Sequence, residues 1–180
     1  MKAVKYFVRF TDKMSVSIGE VVSYFMLLVM GSAVIEIVSR YFFGRPTIWS
    51  YEFGQFLFGA YFLLVGAITS YYREHIGMDL LITKLSPRKQ AILNSITFFF
   101  TAIFCIVLVY KGSQFAYKSI INLEHSTSVW GPPLYPLKAM LPFAGLLIFL
   151  QTTSNFIKDL YLAVTGRCWA EEVEDVEEVT

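Results

Sequence analysis

The chain has 180 residues, of which 56% are hydrophobic, 17% aromatic and 16% charged, with a formal net charge of +1. A soluble domain of this size carries about 25% charged residues, and a nucleic-acid binder needs a basic face, so the composition argues against both. The charges are also segregated at the N-terminus, in three links and in a tail, with long uncharged runs between them.

The first residues alternate basic with aromatic side chains: Lys5, Tyr6, Phe7, Arg9, Phe10. Residues 1–14 read as a basic amphipathic segment, either a short interfacial helix or a plain positive flank. They do not open a signal peptide, because the following apolar run exceeds about 15 residues and no A-x-A site closes it. Four runs are then long enough to cross a bilayer, which takes about 20 mostly apolar residues. They cover roughly 15–39, 53–72, 90–110 and 139–157 of a single domain at 15–162. A spanning backbone must satisfy its own hydrogen bonds, and no run alternates as a barrel strand does. The predicted fold is all-α, an integral membrane protein with four transmembrane helices.

Orientation follows lysine and arginine. Ten of the fifteen fall at the N-terminus, in the link between the second and third runs, and at the C-terminal end. Both termini are therefore expected in the cytoplasm. Residues 163–180 form an acidic cytoplasmic tail, "EEVEDVEEV", with the composition of a solvated segment. Cys105 and Cys168 form no CxxC pair and suggest no disulfide framework.

Charged groups inside a span are costly and tend to be functional. Glu36 lies four residues before Arg40, so the two share a helix face near the outer end. Glu20 lies near the inner end, where it can reach water, bond a neighbouring helix with Ser17 or Ser23, or serve as a proton site. His75 and Asp79 fall in "REHIGMD", a helix end with interfacial polar groups. As an i,i+4 pair they are incomplete as a metal site, and no histidine lies within a span to hold haem. No nucleophile, base and acid come together, so no enzyme, catalytic residue, substrate site or cofactor is expected.

The stretch "RYFFGRPTIWSYEF" followed by "LLVGAITSYYREHIGMDLL" resembles the small membrane subunit (the Q-type, DctQ-like component) of TRAP transporters, the tripartite ATP-independent periplasmic family. The carrying residues are Arg40, Tyr41, Pro46, Trp49, Glu52, Gly66, Ala67, His75, Ile76 and Asp79. "STSVWGPPLYPLKAMLPFAG" resembles the family's outer link and proline-bearing fourth helix. The resemblance covers about 15–162. Ala60 stands where a Trp is frequent, and Lys138 interrupts the start of the fourth run.

The resemblance implies an accessory or scaffold subunit in a bacterial inner membrane. Its partners would be a large M-type membrane subunit, a periplasmic P-type substrate-binding protein and membrane lipid, with no nucleic acid. The complex would import an organic acid, such as a sialic acid or a C4-dicarboxylate, with sodium. The first outer link should turn at Gly44-Arg45-Pro46 with Trp49 at the interface. Arg40, Arg45 and Glu52 would order that turn or meet a partner. The competing readings are a homodimeric proton-coupled carrier using Glu20 and a redox membrane anchor.

Overall fold

The computed structural model describes residues 2–72 and 87–165. These form four helices: α1 (Lys2–Phe42), α2 (Ser50–Tyr72), α3 (Pro87–Ile121) and α4 (Tyr135–Thr165). All four are long and apolar enough to cross a membrane. The chain has the all-α, four-helix membrane fold expected of its composition.

Three of the helices run well past the apolar stretches that predict them. α1 is about 60 Å long, twice the hydrocarbon thickness of about 30 Å. The stretch at 1–14, expected as a segment of its own, runs into α1 without a break from Lys2 onward. The reason lies in the buried stripe. Val8, Thr11, Ser15, Gly19 and Val22 are buried at helical spacing, so one packing face passes straight through the expected boundary.

The helices lie in a row. α3 packs on α4, α4 on α2, and α2 on α1, while α1 and α4 share a smaller contact. α1 and α3 are therefore the flanks. Side-chain polarity is inverted relative to a soluble protein. The buried positions include Thr11, Ser15, Ser32, Ser50, Ser70, Gln151 and Ser154, while Leu27, Met30, Phe99, Phe100 and Phe104 are exposed. In lipid an outward apolar face costs nothing, and small or polar residues hold the helices together. Gly19 shows how close they come. A Cβ placed there would meet Ile68 Cδ1 at 2.0 Å, so α1 and α2 touch backbone to side chain. Gly31, one of the small residues in the first run, faces open space.

Candidate functional site

The C-terminal end of α1 is built around Glu36. Its Oε1 accepts hydrogen bonds from Arg40 Nε at 3.0 Å and Nη2 at 2.5 Å. Its Oε2 accepts the backbone N–H of Thr47 at 2.9 Å and also the Thr47 hydroxyl. One carboxylate thus holds its own helix and the returning chain. Gly44 supplies the left-handed backbone (φ 62) that reverses the chain there. Ser39 closes the turn from both sides. Its carbonyl accepts Arg45 N–H at 3.1 Å and its hydroxyl donates to the Arg45 carbonyl at 2.6 Å. Ser50, the first residue of α2, donates to the Ser32 carbonyl at 2.6 Å and ties the new helix to α1. Trp49 stacks edge-on against Phe53 at 5.9 Å.

The link between α3 and α4 is also ordered. α3 ends in a Schellman motif, with Glu124 N–H on the Ser119 carbonyl and Leu123 N–H on that of Ile120. Leu123 occupies the left-handed position (φ 45) that glycine usually fills. Beyond it the chain pairs with itself through Leu134 N–H to the Glu124 carbonyl and Ser126 N–H to the Pro132 carbonyl, both at 2.9 Å. Lys138 Nζ meets Glu124 Oε2 at 2.5 Å and lies 4.3 Å from the Phe115 ring centroid. The Lys138 ammonium holds the Glu124 carboxyl below its ordinary pKa. The lysine that interrupts the fourth apolar run is thus paired at the foot of this hairpin.

The opposite end of the bundle holds a polar cluster. Gln151 of α4 is fully buried. Its Oε1 accepts from Ser15 Oγ at 2.6 Å and its Nε2 donates to Asp12 Oδ1 at 2.9 Å. Ser154 Oγ also donates to Asp12 Oδ1, at 3.1 Å, and Lys158 Nζ reaches Asp12 Oδ2 at 2.6 Å. Asn155 Nδ2 extends the cluster to α2 by donating to the Ser70 carbonyl at 2.7 Å. Three helices are joined here by side chains that sequence reasoning did not single out. The available signal was the run "LQTTSNF", a polar stripe inside an otherwise apolar span.

The other candidates are scattered. Glu20 is exposed, off the buried stripe of α1. The Arg45 side chain is exposed, and among the described residues only its backbone is held. Glu52 lies in the first turn of α2. Its Oε2 is buried, and no hydrogen-bond partner reaches it among the described residues. His75 and Asp79 lie outside the described residues. Among the described residues, no three His, Cys, Asp or Glu side chains gather as a metal site.

Four apolar helices in a row, pinned by polar clusters at both ends and apolar on both flanks, define a multi-pass membrane protein. A family model described as "Tripartite ATP-independent periplasmic transporters, DctQ component" matches residues 16–161. A Haemophilus influenzae protein whose given assignment is TRAP transporter small permease is 26% identical over 133 residues, covering 73% of this chain and 80% of that protein. The chain belongs to the DctQ family of TRAP transporter small permeases. It is thus a transporter component by family.

Proposed function

We propose that this chain is the accessory, scaffolding subunit of a sodium-coupled, binding-protein-dependent importer of an organic acid. It sits in the bacterial inner membrane with both termini in the cytoplasm and assembles with the large permease subunit. The periplasmic binding protein delivers the substrate to that complex. The observation that carries this reading, beside the family, is where the polar groups go. The Asp12 cluster holds neighbouring helices together at one end, and Glu36 holds the link into α2 at the other. They leave broad apolar flanks on α1 and α3 for a membrane partner. Sodium and substrate sites in secondary transporters are usually built near the midplane from broken helices, and the four helices described here are continuous.

Reconstitution tests the reading. Liposomes holding this chain alone should show no sodium-driven uptake of sialic acid or a C4-dicarboxylate. Adding the large subunit and binding protein should give uptake of the cognate acid, and omitting this chain should abolish it or reduce it severely. Uptake by this chain alone would overturn the accessory role and restore a carrier centred on Glu20. Single cysteines at Thr47 and Ser126, with Cys105 and Cys168 replaced, should label from the periplasm. Labelling from the cytoplasm alone would reverse the orientation.

A further inference from the structure

Along the α3–α4 seam runs an open groove of about 370 Å³, walled by Phe104, Val107, Leu108, Phe115 and Leu141 with Lys111 among its lining residues. That volume falls in the range of small-molecule sites. Phe104, Val107 and Phe115 are each more than half exposed, so the groove opens outward from the bundle. Lys111 is exposed too. Its ammonium lies 5.6 Å from the Tyr110 ring centroid, and no carboxylate partner is seen for it among the described residues.

Lys111 directly follows the apolar run at 90–110, so it stands at the end of that run, near the headgroups. An uncompensated ammonium is unfavourable in the hydrocarbon itself. A lysine there lays its stem along apolar surface and directs the charge toward the headgroups. An apolar trough beside an outward, unpaired cation is complementary to one kind of molecule available all around it, an amphiphile with a negative head and a hydrocarbon tail. The geometry points to a binding site for one anionic phospholipid, with an acyl chain along the groove and its phosphate on the Lys111 ammonium. Tail burial is indifferent to the headgroup. The charge contact therefore sets the preference for an anionic over a zwitterionic lipid.

Native mass spectrometry of the full-length chain in mild detergent tests this, with phosphatidylglycerol and phosphatidylethanolamine of identical acyl chains titrated in competition. The wild type should retain one phosphatidylglycerol about fivefold more tightly than one phosphatidylethanolamine, the factor expected of a single lysine at the lipid surface. Lys111→Gln should bring that ratio to near one. Lys118→Gln, on the same helix but outside the groove, should leave it intact. Val107→Trp should fill the trough and weaken retention of both lipids. Should Val107→Trp fail to fold, the comparison of Lys111 with Lys118 still decides. Equal retention of the two lipids by the wild type would overturn the site. So would an equal loss in Lys118→Gln, which would mark general surface charge. Lys111→Gln releasing a co-expressed large subunit while the lipid ratio held would assign the groove to that subunit and equally refute the lipid site.

Discussion

Lys158→Met is the sharpest perturbation of the Asp12 cluster. It removes the cation 2.6 Å from Asp12 while keeping an apolar side chain of similar length. Asp12 then retains Gln151 and Ser154 as donors but loses its counter-charge. Breaking a fully buried pair costs about 3–5 kcal/mol, and an exposed pair under about 1 kcal/mol. The Lys158 and Asp12 side chains are 20% and 21% exposed, so water screens part of the charge and a loss of about 1–2 kcal/mol is expected. Asp12→Asn should cost a similar amount, since an amide places an N–H where an acceptor is needed. The double variant should cost less than the two singles together, by about 1 kcal/mol, because neither orphaned charge remains. Thermal unfolding in one detergent at fixed lipid load supplies the four corners of the cycle. Additive losses, or an unchanged Lys158→Met, would refute the pair as a structural tie.

Three further outcomes follow. Glu36→Gln should free the Thr47 backbone and loosen the turn at Gly44, so that a cysteine at Thr47 reacts several times faster with a soluble maleimide; an unchanged rate would remove Glu36 as its anchor. The Glu124 carboxyl is held below its ordinary value, so the contribution of its pair with Lys138 should be fully present above the unfolded carboxylate range of about 4.3 and vanish as pH falls through the lower folded pKa. The melting-temperature gap between wild type and Glu124→Gln should therefore close in acid, and a constant gap from pH 7 to pH 3 would contradict the assignment. Glu52→Gln should leave the isolated chain as stable as wild type, because nothing described bonds the buried Oε2, yet weaken copurification of the large subunit if that oxygen takes its partner there; loss of stability in the isolated chain would place the missing bond within this molecule.

The fold was legible because its signal is coarse. Four apolar runs separated by charged links permit little else in a bilayer. Helix ends were harder to read. Hydropathy marks where the lipid begins and ends, whereas α1 continues for as long as a packing face is available, down past Val8. The pairing of Glu36 with Arg40 was readable from spacing alone, since i,i+4 places them together. The contact from Thr47 was not, because it depends on how the Gly44 turn aims the chain. The Asp12 cluster escaped for a different reason. Charged groups in spans draw notice, but Gln151, Ser154 and Asn155 are neutral and Asp12 lies in what read as a flank. Only the antiparallel placing of α1 against α4 makes them one network.

That network and the Glu36 turn together constrain α1 more than either does alone. Asp12 and Glu36 lie roughly 36 Å apart along one continuous helix. A one-residue slip of a helix turns its side chains by about 100°, so it would break both the tie to Gln151 and Lys158 and the tie to Thr47. Rotation and sliding are therefore opposed at two distant points, and bending is opposed by the close seating of Gly19 on Ile68. The outward side of α1 is then presented at a fixed angle. Glu20 stands on that side, exposed among Val21, Tyr24 and Leu27. Among the described residues no hydrogen bond or ion pair reaches its carboxylate. Its place on an apolar flank leaves it to meet water at the membrane interface or a group on a neighbouring molecule. Glu20→Gln should accordingly leave the stability of the isolated chain unchanged, and any effect it has should appear only when the large subunit is present.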